Sequence, residues 1–251
     1  MNPFYALYSV FSYVCFLAWF LYAVGFVGDL FVPKSINAPV GASDWTAWAI
    51  DAAVLAAFGL QHSVMARPAF KRWWTRIVPV AIERSTYVLF SSLFFGLVFV
   101  AWQPLPTLVW DLRGTPFAPV LLALYALGWL ILLLSSFMIN HFELFGLTQA
   151  LRRAQAAPPA DSAFVEVLLY RFIRHPLMLG LLIAFWAAPA MSQGRLLFAL
   201  LTSTYIFVGV RLEERDLEQN LGAPYRNYRA RVPMIIPRLK WKQKRAETND
   251  A

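Results

Sequence analysis

The sequence predicts an all-α fold: a polytopic transmembrane helical bundle of about six spans, the last two a short helical hairpin, with a cytoplasmic C-terminal segment. Three observations carry that expectation. Lys and Arg are absent from six windows, 1–33, 35–66, 85–112, 114–151, 175–194 and 196–210, into which only Asp29, Asp44, Asp51, Asp111 and Glu143 bring charge. The 251 residues are 59% hydrophobic and 14% charged, against about 25% charged in soluble domains. All of the 22 Lys and Arg residues except Lys34, Arg113 and Arg195 lie in alternate connections between the windows.

Crossing a bilayer's hydrocarbon core takes about 20 apolar residues in a helix, which places the spans at roughly 5–28, 46–66, 86–103, 117–140, 176–192 and 196–211. The first has no basic leader and is too long for the apolar core of a signal peptide, so it is expected to stay as a span. The second follows a connector with Pro39 and Gly41. It carries Asp51 about one turn in, expected to cap or snorkel, and the polar triplet Gln61-His62-Ser63 near its far end. The third runs from beyond Arg84 to Pro104, and the fourth from Pro116 to Asn140. Pro176 opens the fifth, suiting a first helical turn where no backbone donor is lost. Pro189 and Gly194 mark the turn into the sixth. Segment 154–163 is rich in Ala and Pro and is expected to be a flexible surface loop, with the last ten residues frayed. No internal repeat is evident, and the spans leave little chain for a separate soluble domain, so residues 1–251 form one domain.

Lys/Arg asymmetry sets orientation. The connections holding Arg67, Lys71, Arg72, Arg76 and Arg84, then Arg152, Arg153, Arg171 and Arg174, and the stretch from Arg211 onward, should face the cytoplasm. Both termini then lie there too. The net charge of +8 follows from this bias and implies attraction to anionic membrane lipid, with no nucleic acid partner. Trp45, Trp48, Trp102 and Trp110 fall at outer interfaces, and Trp73, Trp74 and Trp241 at inner ones. The single cysteine, Cys15, excludes an intrachain disulfide and a cysteine metal site, and no metal is expected.

Ionisable groups within spans are costly and usually functional. His62, His141 and His175 all fall at the inner boundary, joined by Glu143, Glu213 and Glu214. They are expected to meet in one chamber. Plainer roles stay open: a histidine at a helix end can cap or face water, Gln61-His62-Ser63 can join helices, and Asn140-His141-Phe142-Glu143 can be an ordinary helix terminus.

Two motifs sharpen the site. The amides opening the helix of Arg174-His175-Pro176-Leu177-Met178-Leu179-Gly180 favour an anionic group, and Gly180 permits close approach. Glu213-Glu214 is followed by Tyr225-Arg226-Asn227-Tyr228, Val232-Pro233 and Pro237. Singly these suit a helix start after a basic loop and a solvated helix with a Pro-broken tail. As a pair they resemble the signature of the membrane methyltransferases related to isoprenylcysteine carboxyl methyltransferase, over roughly 167–237. Gln61-His62-Ser63-Val64-Met65-Ala66, Arg84-Ser85-Thr86-Tyr87 and Asn140-His141-Phe142-Glu143-Leu144-Phe145-Gly146-Leu147 resemble the nurim and NnrU-like branch. Within it the chain is most similar to bacterial methanethiol S-methyltransferases over essentially its full length. One departure is Met178, where the wider family often has Tyr.

The resemblance implies an integral-membrane enzyme of the bacterial inner membrane that uses S-adenosyl-L-methionine (SAM) to convert methanethiol, a small volatile thiol, to dimethyl sulfide, releasing S-adenosyl-L-homocysteine. It implies a cofactor pocket between the 175–211 hairpin and the tail. Arg174, His175, Pro176 and Gly180 would line one end, Glu213 and Glu214 would meet ribose hydroxyls or the amino group, and Tyr225 and Tyr228 would close the cytoplasmic side. Aromatic faces attract a sulfonium. Because the thiolate is the reactive form, a base is expected near the acceptor. His62 and His141 are the candidates, since histidine titrates near neutrality, with Glu143 orienting one of them. The alternatives are another acceptor, such as a different thiol, a prenylcysteine carboxylate or a lipid amine, or a non-enzymatic nurim- or NnrU-like role. Transport fits less well, because the polar groups gather on one face.

Overall fold

The computed structural model describes residues 2–38, 45–151 and 167–237. The predicted loop 154–163, the C-terminal residues expected to fray and Trp241 lie outside the described residues. Helix α1 (Pro3–Gly28) starts with Pro3 after Asn2, whose side chain accepts the Phe4 amide at 3.0 Å. Then come α2 (Trp45–Ala66), the short α3 (Pro68–Trp74), α4 (Val80–Ala101) and strand β1 (Leu108–Asp111). Helix α5 (Phe117–Ile139) leads into α6 (His141–Leu144) and α7 (Leu147–Leu151). After a 3-10 turn at Leu168–Arg171 come α8 (Pro176–Trp186), strand β2 (Ala190–Ser192), α9 (Gln193–Leu221) and α10 (Ala223–Arg231).

Among the described residues, α1, α2, α4, α5 and α9 are the five helices long and apolar enough to cross a membrane; the chain is a multi-pass helical membrane protein. The predicted fifth span differs. Helix α8 has 11 residues, about 16 Å at 1.5 Å per residue, roughly half a hydrocarbon core. Pro189 accounts for the early stop, because the residue before a proline avoids the helical region. Beyond α8 the chain continues in extended form, and β2 pairs antiparallel with β1, Leu108 opposite Ser192 and Asp111 opposite Ala190. This ribbon puts the α8–α9 turn at the same end of the bundle as the α4–α5 connection. Helix α9 is also longer than predicted: it starts at Ser192, whose hydroxyl accepts the Arg195 amide at 3.1 Å. It runs on past Val210 as a polar extension until Gly222, at φ 63°.

The core is a cluster of aromatic rings in tilted and edge-to-face contact, with Phe26 and Phe99 centroids 4.8 Å apart and Phe185 and Phe198 5.0 Å apart. Polar groups fasten the ribbon end. Buried Asp51 accepts the Gln103 amide at 2.7 Å, the structural role expected of it. Arg195, expected in an outer connection, is buried inside α9 with its guanidinium 5.9 Å from the Tyr125 ring centre.

Helices α5 and α8 touch through their backbones. A Cβ on Gly180 would fall 2.6 Å from the Gly128 carbonyl oxygen and 2.7 Å from the Leu132 nitrogen. Within a membrane, helices associate through close packing, and small residues permit it. Gly180, expected to line a cofactor pocket, instead serves this crossing. We expect Gly180→Ala to destabilise the protein by about 1–3 kcal/mol through overpacking. Gly114→Ala, where an added Cβ meets nothing within 4 Å, is the neutral control. Equal thermal midpoints in detergent would refute the crossing.

Candidate active site

At the end of the bundle opposite the ribbon, a cavity of about 480 Å³ opens between the last turn of α5, the first turn of α8, the polar extension of α9 and α10, within the range of small-molecule sites, about 300–1,000 Å³. Each element brings one part of it. Arg174 and His175 sit in an extended stretch whose amides donate to the Pro233 and Met234 carbonyls at 2.9 and 3.0 Å. The tail is thereby laid against the start of α8. Gly222 turns the chain so that α10 folds back, presenting Tyr225 and Tyr228, and the Tyr228 hydroxyl donates to the Tyr170 carbonyl at 2.6 Å.

One carboxylate organises the polar wall. Glu214, 4% exposed, lies behind His175. Its Oε1 accepts Arg174 Nε at 2.6 Å and faces His175 Nε2 at 3.1 Å. Because a carboxylate only accepts, His175 Nε2 carries a hydrogen toward Glu214. Nδ1 is 3.8 Å from Oε2 of Glu213, which lines the cavity. Arg174 continues into the tail: its Nη1 donates to the Arg229 carbonyl at 3.0 Å and to that of Val232. Burial lifts the Tyr225 phenol above its ordinary range and the Glu214 carboxylate adds to the rise; burial and Glu213 do the same at Tyr170. Both rings therefore stay neutral. Met138, Ile139, Leu177 and Met178 add apolar side chains to the lining.

The expected gathering of three histidines does not form. Only His175 lines the cavity. His62 lies among α2, α4 and α9, with Nε2 2.8 Å from the Tyr87 hydroxyl and Nδ1 3.2 Å from that of Ser91; beside it, Ser63 donates to the Tyr205 hydroxyl at 3.3 Å. It joins helices. His141 is bonded on both nitrogens, to Tyr13 at 2.9 Å and Ser136 at 2.8 Å, and stacks on Phe137 with centroids 4.3 Å apart. Burial holds its imidazole below the ordinary range, so it stays neutral and ties α6 to α1 and α5. Glu143 is exposed, accepts the Asn140 amide at 2.7 Å, and faces a separate cleft. Pro176 is buried as the first residue of α8. Sequence reasoning missed Tyr170 and these apolar lining residues. Tyr170 sits four residues before Arg174, where it passes for an ordinary interfacial aromatic.

Fold and cavity define a class: multi-pass membrane proteins whose ligand cavity lies at one end of the bundle rather than in a soluble domain. Comparison with known proteins narrows it. The chain is 50% identical to methanethiol S-methyltransferase 2 of Bradyrhizobium diazoefficiens over 93% of its own length and 90% of the relative's. It is 48% identical to methanethiol S-methyltransferase of Mycobacterium tuberculosis over 92% and 95%, and 32% identical to human nurim over 73% and 70%. No family model matches the chain, and no solved structure matches it. The chain belongs to the methanethiol S-methyltransferase family. That membership makes it a methyltransferase in class.

Proposed function

We propose that the chain transfers a methyl group from SAM to methanethiol, giving dimethyl sulfide and S-adenosyl-L-homocysteine, in the cavity between α5, α8, α9 and α10. We place that end of the bundle in the cytoplasm and the chain in a bacterial inner membrane with both termini inside, on the distribution of Lys and Arg. The observation that carries the reading is the mixed lining. One set of lining residues is Tyr170, Tyr225, Tyr228, Glu213 and His175; the other is Met138, Ile139, Leu177 and Met178. The first suits the ribose, amino and sulfonium groups of SAM. The second suits a small apolar thiol. Deeper in the bundle, the backbone contact of Gly180 with Gly128 and Leu132 brings α5 and α8 close together, which supports a small acceptor over a prenyl chain.

When bound, SAM supplies an electrophilic methyl group on a sulfonium. The chain's residues do the rest. The tyrosine faces hold the cation, and Glu213 accepts from hydroxyl or amino hydrogens. Arg174 holds the tail in place rather than the ligand. The acceptor must lose its proton, because a neutral thiol is a weak nucleophile. His175 Nδ1 takes that proton, and Glu214 stabilises the imidazolium from Nε2. This moves the role of base from His62 and His141 to His175. The apolar lining residues keep water away and orient the sulfur, the main task in an in-line displacement.

Purified protein given SAM and methanethiol is expected to bind SAM by calorimetry and to release dimethyl sulfide into the headspace. Absence of SAM binding would overturn the reading in favour of a non-enzymatic, nurim-like role. Binding with product only from a prenylcysteine or lipid amine would overturn the acceptor.

A further inference from the structure

A second cleft, of about 350 Å³, adjoins the first and shares Ile139 and Leu144 with it. It gathers what methyl transfer leaves unused: Lys71 of α3, Glu83 and Arg84 of α4, and Asn140 and Glu143 around α6. The cleft is a built structure. Arg84 Nε donates to the Leu144 carbonyl at 2.8 Å, and its guanidinium carbon lies 5.0 Å from the Tyr87 ring centre. Asn140 adopts a left-handed conformation, φ 103°, unusual for a residue with a side chain. That conformation turns α6 back so that the Asn140 amide donates to Glu143 Oε2 at 2.7 Å. Gly146, at φ 84°, presses on the start of α4: a Cβ there would lie 2.7 Å from the Ser85 nitrogen. Two cations and two carboxylates thus line one fixed recess.

Its surroundings are apolar. Ile139, which lines it, is exposed, as are Trp73, Val80 and Phe142, neighbours in sequence of Lys71, Glu83 and Glu143. A ligand here meets water and hydrocarbon at once. Two carboxylates disfavour a purely anionic head group, and two cations a purely cationic one. We propose that this cleft seats the head group of a zwitterionic phospholipid with a primary ammonium, phosphatidylethanolamine, its phosphate on Lys71 and Arg84 and its ammonium on Glu83 and Glu143. Basic pockets beside spans at the inner boundary commonly take lipid head groups. The carboxylates add a choice between lipids, because a choline group has no N–H to donate and a glycerol head group has no cation.

The test uses the whole protein, delipidated in detergent and returned to mixed micelles holding phosphatidylethanolamine, phosphatidylcholine or phosphatidylglycerol, with retained lipid read by native mass spectrometry. We expect phosphatidylethanolamine to be retained about fivefold over either other lipid. Glu143→Gln should abolish that preference, and Lys71→Met should weaken retention of phosphatidylethanolamine while leaving SAM affinity unchanged by calorimetry. Equal retention of the three lipids, preference for phosphatidylglycerol, a preference that survives Glu143→Gln, or retention unchanged in Lys71→Met would overturn the proposal. So would loss of SAM affinity in Lys71→Met, which would make the cleft an extension of the first cavity.

Discussion

Replacing His175 with Gln is expected to lower turnover about 100-fold near neutral pH, the lower end of what a positioned general base contributes. Gln keeps an amide hydrogen for Glu214 and a similar length, so the buried wall survives while the proton acceptor is lost. The signature is the pH profile. A free thiol ionises unaided at alkaline pH; cysteine does so near 8.5, and a simple alkane thiol higher. The variant's rate should therefore climb about tenfold per pH unit as the thiolate fraction grows, narrowing the gap to the unsubstituted enzyme. A merely structural histidine would give a loss that does not shrink with pH. Unchanged turnover would remove His175 from proton transfer, and a collapse of SAM affinity would return it to cofactor binding. The same measurement on His62→Gln should show no such narrowing, because that ring is bonded to Tyr87 and Ser91 away from the cavity.

The largest effect on stability is expected at Glu214. Its carboxylate holds Arg174 at 2.6 Å, with side chains only 8% and 6% exposed, and faces His175 as well. Glu214→Gln keeps the shape and removes the charge, leaving a buried guanidinium without its counter-ion. Breaking a buried pair from one side costs about 3–5 kcal/mol, which in a chain of this size lowers the thermal midpoint on the order of 10 °C. The control lies one helical turn on. Glu218 accepts Arg229 Nη1 at 2.7 Å, but both side chains are substantially exposed, and such pairs contribute less than about 1 kcal/mol. Equal losses in Glu214→Gln and Glu218→Gln would mean that the carboxylate behind His175 is not what holds the tail.

Depth was legible in the sequence; direction was not. The ends of α1, α2, α4 and α5 follow from where charge and proline begin, because a charged residue in hydrocarbon is costly whichever way it faces. The pairing of Arg174-His175 with Glu213-Glu214 and the two tyrosines was legible too, through the resemblance of the two motifs to a family signature rather than through spacing or composition. His62 and His141 lie at the expected depth yet point elsewhere. A soluble helix reveals its inner face by a polar stripe opposite, whereas these spans are apolar on every side. Nothing in the order of Leu, Phe and Ala around His62 says whether it turns toward α4 or toward the cavity. The β1–β2 ribbon was hidden for another reason: its strands have four and three residues and are joined by register between distant connectors, which local propensity does not report.

The pairing of Arg174 and His175 with the Pro233 and Met234 carbonyls carries a consequence for biogenesis. Helices entering a bilayer one after another can settle α1 through α9 while the ribosome is still at work. The chamber stays unroofed until residue 234 has emerged. On the proposed function, competence to hold the methyl donor is therefore acquired last and all at once, and a chain cut short before this point would be inserted but idle.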